Sequence, residues 1–150
     1  MDWRTNILTT DDQVRDLLAE TARIAVLGIK PESHSAQPAF YVPKYMADAG
    51  CEIVPVPVYY PDVTEILGQP VYRSLTAIPG EIDMVNVFRR PDDIGKHTID
   101  ILEKKPHSVW FQLGIRNDDA AEKFARAGIK VVQDLCLMVE HRSLLRRAAP

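Results

Sequence analysis

Ile24-Ala25-Val26-Leu27-Gly28 is an unbroken apolar run of strand length that ends in glycine. A strand wetted on one face alternates apolar and polar residues; a strand covered on both faces does not. The run therefore reads as a buried strand of a parallel sheet with helices on both sides. Four more runs share this character: Ile53-Val54-Pro55-Val56, Met84-Val85-Asn86-Val87-Phe88, Ser108-Val109-Trp110-Phe111 and Lys130-Val131-Val132. Proline has no N–H for a sheet ladder, so Pro55 and Pro57 suggest that the later part of the second strand leaves the sheet.

Between these runs lie helical patterns. Thr10-Asp11-Asp12 offers N-cap chemistry ahead of Val14, Leu17, Leu18 and Ala22. Phe40, Tyr45, Met46 and Ala49 follow the first strand, with Gly50 placed to stop their helix. Pro91 suits a first helical position, with Asp92 and Asp93 in the first turn and Lys104 and Lys105 in the last. Ile94, Thr98, Ile101 and Leu102 of that helix face the sheet. Asn117 caps a helix over 118–127 that Gly128 ends, and 137–147 forms the last helix. Residues 58–79, rich in proline, read as a loop with one helical turn at Thr64-Glu65-Ile66-Leu67.

The alternation predicts an α/β fold: a Rossmann-like, doubly wound, five-stranded parallel sheet in the order 3-2-1-4-5, with right-handed crossovers and helices on both faces. The chain has 150 residues, which suits one domain over 1–150. Its net charge of −3 weighs against a nucleic-acid binder, whose domain is normally basic. No basic-then-apolar leader opens the sequence, and no apolar run approaches the ~18 residues of a membrane span. Cys51 and Cys136 stand far apart in no metal pattern, as reduced thiols of a cytoplasmic protein do.

Ligands of open α/β sheets bind beyond the carboxyl ends of the strands, where the strand order reverses. The predicted order puts that point between strands one and four. The loop after strand one, Gly28-Ile29-Lys30-Pro31-Glu32-Ser33-His34-Ser35, fails the GxGxxG pattern because only Gly28 fits. It still offers backbone amides, side-chain hydrogen-bonding groups and one cation near a helix start, which suits phosphate; the competing reading is a polar surface loop. An NAD site usually places an acid at the end of strand two. Here Val56-Pro57-Val58-Tyr59 stands instead, with Asp62 too far along. Tyr59 and Tyr60 either flank an adenine or pack on the sheet edge.

After strand three, Phe88-Arg89-Arg90-Pro91 sets two arginines at the mouth of the crevice, and arginine favours bidentate phosphate recognition. One of the two is expected to be a ligand rather than both. After strand four comes Gln112-Leu113-Gly114, where Gly114 permits close backbone approach or a positive φ; Trp110 belongs to the core. After strand five, Cys136, Glu140 and His141 offer a thiol–imidazole pair or, more plainly, a buried thiol and a helix-capping carboxylate. Their spacing matches no metal motif. His97 and His107 read as surface residues.

Ile24-Ala25-Val26-Leu27-Gly28, Ile53-Val54-Pro55-Val56, Glu65-Ile66-Leu67-Gly68, Val87-Phe88-Arg89-Arg90-Pro91, Trp110-Phe111-Gln112-Leu113-Gly114-Ile115, and Cys136 with Glu140-His141 occur in the same order in the small stand-alone CoA-binding proteins. The chain resembles that family over about residues 10 to 142, and the family is similar to the N-terminal domain of the succinyl-CoA synthetase α subunit. The resemblance implies a Rossmann-like fold and a site for coenzyme A or a short acyl-CoA. It implies that Gly28, Lys30, Ser33, Pro57, Phe88, Arg89 and Arg90 surround the nucleotide end. With their neighbours Ile29, His34, Val58, Tyr59, Val87, Gln112 and Gly114 they make up the candidate cofactor site. The family's first loop often begins Gly-Ala-Ser, where this chain has Gly28-Ile29-Lys30. Nothing here matches the synthetase's catalytic histidine, so ligase activity is not implied, and no catalytic or metal-binding residue is assigned.

Three readings follow: a CoA or acyl-CoA binder without catalysis of its own; a nucleotide-dependent oxidoreductase or a thiol enzyme using Cys136; and a ligand-free regulatory module. The last would meet a partner protein through a C-terminal helix bearing Leu144, Leu145, Arg146 and Arg147; a homo-oligomer is a separate, open alternative.

Overall fold

Every one of the five apolar runs forms a strand. In the computed structural model, which describes residues 2–148, the chain runs through a 3₁₀ turn (Trp3–Asn6), α1 (Asp11–Ala19), β1 (Arg23–Leu27), a second 3₁₀ turn (Glu32–His34), α2 (Pro38–Asp48) and β2 (Glu52–Val56). A small hairpin follows, β3 (Glu65–Ile66) and β4 (Gln69–Pro70), then β5 (Met84–Val87). A 3₁₀ helix over Pro91–His97 leads into α3 (Thr98–Lys104), then β6 (Ser108–Phe111), α4 (Asp118–Arg126), β7 (Lys130–Val132) and α5 (Leu137–Ala148). The side chains of Leu145, Arg146 and Arg147, placed above on a partner surface, lie outside the described residues.

The main sheet is parallel and ordered β2-β1-β5-β6-β7. Counted along the chain, its strands lie 2-1-3-4-5, which corrects the expected 3-2-1-4-5. The reason is where the long β2–β5 connection packs. α2 covers one face, where Phe40, Val42 and Met46 meet Ile24, Val26 and Ile53. The connection buries Leu75, Ile78 and Ile82 on the opposite face, against Ala25, Leu27, Val54 and Val56. Right-handed crossovers on opposite faces run in opposite directions. The second one therefore carries the chain back over β1 and sets β5 on its far side.

Pro55 fits this order. It stays in the sheet, in register with Val26, rather than leaving it. β2 is an edge strand, and the Pro55 carbonyl points outward to accept from the Tyr72 amide at 2.9 Å. The missing N–H therefore faces the open edge and costs no ladder bond.

A second correction concerns the helical turn expected at 64–67. Leu67 (φ 54) and Gly68 (φ 73) are both left-handed, the backbone of a type I′ hairpin turn, and they join β3 to β4 in antiparallel register. A third concerns the helix expected to begin at Pro91. It winds as a 3₁₀ helix through His97 before turning α-helical, and Gly95 inside it brings no side chain to reinforce an α-turn.

The remaining helix ends follow local chemistry. The Thr10 hydroxyl accepts from the Gln13 amide at 3.2 Å while the Gln13 carboxamide accepts from Thr10 N at 3.1 Å, a complete capping box. Asn117 Oδ1 accepts from Ala120 N at 3.0 Å to start α4. Trp110 and Phe111 of β6 are fully buried on opposite faces, and the Trp110 indole donates to Leu135 O at 2.8 Å.

Candidate cofactor site

The strand order reverses between β1 and β5, not between the first and fourth strands, so the crevice opens where Leu27 and Val87 end. Gly28 leaves β1 with φ +87, its amide donating to Val56 O at 2.9 Å. A Cβ there would stand 2.3 Å from the Phe88 carbonyl oxygen. Only glycine allows the two exits to meet, and Phe88 N closes the contact by donating to Leu27 O at 2.8 Å.

The loop beyond Gly28 is braced rather than loose. The Ile29 side chain is buried in the apolar cluster of α2, so only its backbone belongs to the rim. Lys30 donates its amide to Ala39 O at 3.1 Å, and its ammonium bonds the Gln37 side chain beside the start of α2. Ser33 Oγ meets His34 Nδ1 at 2.9 Å, and His34 Nε2 meets the Tyr60 hydroxyl at 3.4 Å with the rings edge to face. The Glu32 carboxylate accepts from Leu67 N at 2.9 Å, tying the loop to the hairpin. α2 carries no acid in its first turn, whereas α4 begins with Asp118 and Asp119. The positive end of the α2 dipole is thus not neutralised by its own side chains.

Beyond β2, Pro57 is buried and Val58 exposed, while Tyr59 is 74% exposed. Tyr59 therefore does not pack on the sheet edge, and it is Tyr60 that packs, against His34. Arg73 holds this loop: its guanidinium donates to the carbonyls of Tyr59, Tyr60, Pro61 and Val63 at 3.1, 2.9, 3.4 and 2.8 Å. Sequence reasoning passed over Arg73, which sits alone in the irregular stretch with no motif around it.

The two arginines after β5 separate. Val87 is buried and Phe88 half-buried. Arg89 is committed to the protein, donating Nε–H to His97 Nε2 at 3.2 Å and lying 3.8 Å from the Asp93 carboxylate. Burial, with Arg89 beside it, pushes the His97 pKa below its usual value, so the ring serves as a neutral acceptor. His97 is thus half-buried, not the surface residue expected. Arg90 is exposed and makes no side-chain hydrogen bond among the described residues.

At the β6 exit Gln112 is buried; its Oε1 accepts from Leu137 N at 3.3 Å and from Asn86 Nδ2 at 3.5 Å. Gly114 has φ +84, and a Cβ there would touch nothing, so conformation and not close approach requires glycine. Its amide donates to Asp134 Oδ1 at 2.7 Å. Asn86 on β5 was not among the expected site residues. It is fully buried, and its Oδ1 has no hydrogen-bond partner among the described residues. An unpaired buried carbonyl oxygen costs about 1–3 kcal/mol.

The thiol and imidazole do not pair. His141 Nδ1 bonds the Tyr45 hydroxyl at 2.9 Å, and burial lowers its pKa. No cluster of three or more metal-ligating side chains exists among the described residues. No helix there is long and apolar enough to cross a membrane. A concavity of about 890 Å³ lies at the opposite end of the sheet beside Glu20, Asp83 and His107. That is the amino end of the strands, away from the switch point.

The fold defines a Rossmann-like α/β domain with a parallel five-stranded sheet. Residues 22–142 match the family described as CoA binding domain, and the chain belongs to that family. It is 37% identical over 131 residues to the uncharacterized protein YneT of Bacillus subtilis (strain 168), covering 86% of this chain and 92% of that protein. Among solved structures, a Thermus thermophilus protein designated cell-free ID.343 is 36% identical with a TM-score of 0.82, over 91% of this chain and 99% of that one. A hypothetical protein from Pyrococcus horikoshii OT3 is 32% identical with a TM-score of 0.81, over 91% and 93% of the two chains.

Proposed function

We propose that the chain binds coenzyme A or a short acyl-CoA at the carboxyl edge of the sheet, between β1 and β5, without catalysis of its own. The observation that carries this reading is the Gly28–Phe88 junction, flanked by Lys30 and the acid-free start of α2 on one side and by exposed Arg90 on the other. A diphosphate there meets a helix N-terminus and two cations. Membership of the CoA-binding domain family supports coenzyme A as that ligand. Tyr59, exposed beyond β2, offers a face to the adenine.

The oxidoreductase alternative finds no support at the β2 exit, where Pro57 is buried and no acid stands to hold ribose hydroxyls. Thiol catalysis by Cys136 finds none in His141, whose Nδ1 is engaged by Tyr45.

Thermal unfolding with CoA, acetyl-CoA, NAD and ATP in parallel tests the proposal, after any co-purified ligand is removed. CoA at about 100 times its dissociation constant adds roughly 2.7 kcal/mol, which raises the midpoint by about 5–10 °C for a chain of this size. A rise with CoA and none with NAD is expected. No rise at saturating CoA overturns the proposal.

A further inference from the structure

Asn86 and Gln112 form a buried pair of carboxamides at the carboxyl ends of β5 and β6, and backbone groups fix which way each points. Leu137 N–H can only donate, so the Gln112 atom it meets is oxygen. Asn86 then turns its NH₂ toward that oxygen and toward Trp110 O, at 3.5 and 3.3 Å. Both groups that Nδ2 faces are on or beyond β6. The pair is left with one unused acceptor, Asn86 Oδ1, and one unused donor group, Gln112 Nε2, which has no hydrogen bond among the described residues. Neither is an ionic group, so the complementary ligand chemistry is a neutral amide, which carries one N–H and one C=O.

We infer that this pair is the subsite for the amide-bearing pantetheine arm of the ligand, with Asn86 Oδ1 accepting from an arm N–H and Gln112 Nε2 donating to an arm carbonyl. The inference rests on the CoA-binding reading above and adds what recognises the part of the ligand beyond the phosphates. Phosphates seated at Gly28, Lys30 and Arg90 leave the β5–β6 side of the edge for the arm. Phe88, two residues beyond Asn86 at the same strand exit, packs against the apolar cluster that holds Trp110 and Leu137. It is only half-buried, so the exit beside the pair is not sealed by the core.

The test compares CoA with adenosine 3′,5′-bisphosphate, which keeps nucleotide-end phosphates and lacks the arm, by titration calorimetry on wild type, Asn86→Leu and Gln112→Glu. Gln112→Glu keeps an oxygen for Leu137 N and removes the donor. Each variant is expected to weaken CoA at least tenfold and to leave the bisphosphate affinity unchanged. Equal loss for both ligands, or unchanged CoA affinity, overturns the subsite. Wild type that binds CoA no more tightly than the bisphosphate also overturns it while leaving nucleotide binding intact. Wild type that binds neither overturns the CoA reading itself. Should a variant fail to fold, the side-chain amide resonances of Asn86 and Gln112 in the wild type decide. They shift with CoA and not with the bisphosphate, and no shift with CoA refutes the assignment.

Discussion

Gly28 and Phe88 meet backbone to backbone at the point where β1 and β5 end, 2.3 Å separating the Phe88 carbonyl oxygen from where a Gly28 Cβ would lie. The contact draws the first loop and the arginine segment into one edge. Gly28→Ala meets two penalties: the left-handed conformation, about 1–2 kcal/mol for a residue with a Cβ, and overlap with a carbonyl that cannot rotate away. The midpoint of thermal unfolding is expected to fall by about 5 °C or more, with CoA binding lost in parallel. An alanine variant as stable as wild type would show that the two exits are not in contact.

Arg89 and Arg90 should separate experimentally. Arg89→Ala removes the hydrogen bond to His97 and the charge beside Asp93, so its main effect falls on stability. Arg90→Ala removes an exposed cation and leaves stability nearly unchanged. A charge-assisted bond to phosphate is worth about 1.5–3 kcal/mol, so Arg90→Ala and the double variant should each weaken CoA binding about tenfold or more. Titration calorimetry and thermal unfolding on the three variants give both readouts. Unchanged affinity in the double variant removes the phosphate contact from this edge.

The strands were legible because sheets covered on both faces demand unbroken apolar runs, and few other structures do. Strand order was not, although Pro55 carried a signal: proline favours an edge strand, and of the expected and observed orders 2-1-3-4-5 is the one that puts β2 at an edge. The hairpin was hidden because Leu67 occupies a left-handed position where asparagine or aspartate is usual, so Gly68 alone marked the turn. Lys30 and the arginines stood out because they follow strand ends directly. That Arg89 is held by His97 depends on how a 3₁₀ helix folds back, which no local pattern encodes. Asn86 interrupts an otherwise apolar run, and that interruption is the trace in the sequence of the buried amide pair.

Arg73 should matter through the loop it holds. Its four carbonyl contacts fix residues 59–63, where Tyr60 itself is left-handed at φ 64. Arg73→Met keeps the aliphatic stem and removes the donors. Backbone amide exchange over 59–63 should quicken, while β1, β5 and β6 keep their protection. CoA binding should weaken several-fold if Tyr59 contacts the adenine. Unaltered exchange in the loop would mean that the hairpin alone holds it.

The His97–Arg89 contact predicts an acid-side loss of stability. Burial lowers the folded-state pKa of His97 below the 6.5 of an unperturbed imidazole, and His141 is shifted the same way by its own burial. The unfolded chain therefore binds more protons than the folded one as pH falls below about 6.5, and stability falls with it. The stability is fully present above that pH and is lost down to the lowered folded pKa values. Protonation of His97 also turns an acceptor into a cation beside Arg89. His97→Gln offers Arg89 a carboxamide oxygen that does not titrate, so its urea midpoint should decline less between about pH 7 and 5. The residual slope belongs to His141, and His97→Gln combined with His141→Gln should flatten it further. A wild-type midpoint that stays constant over that range would show that neither imidazole is held neutral by the fold.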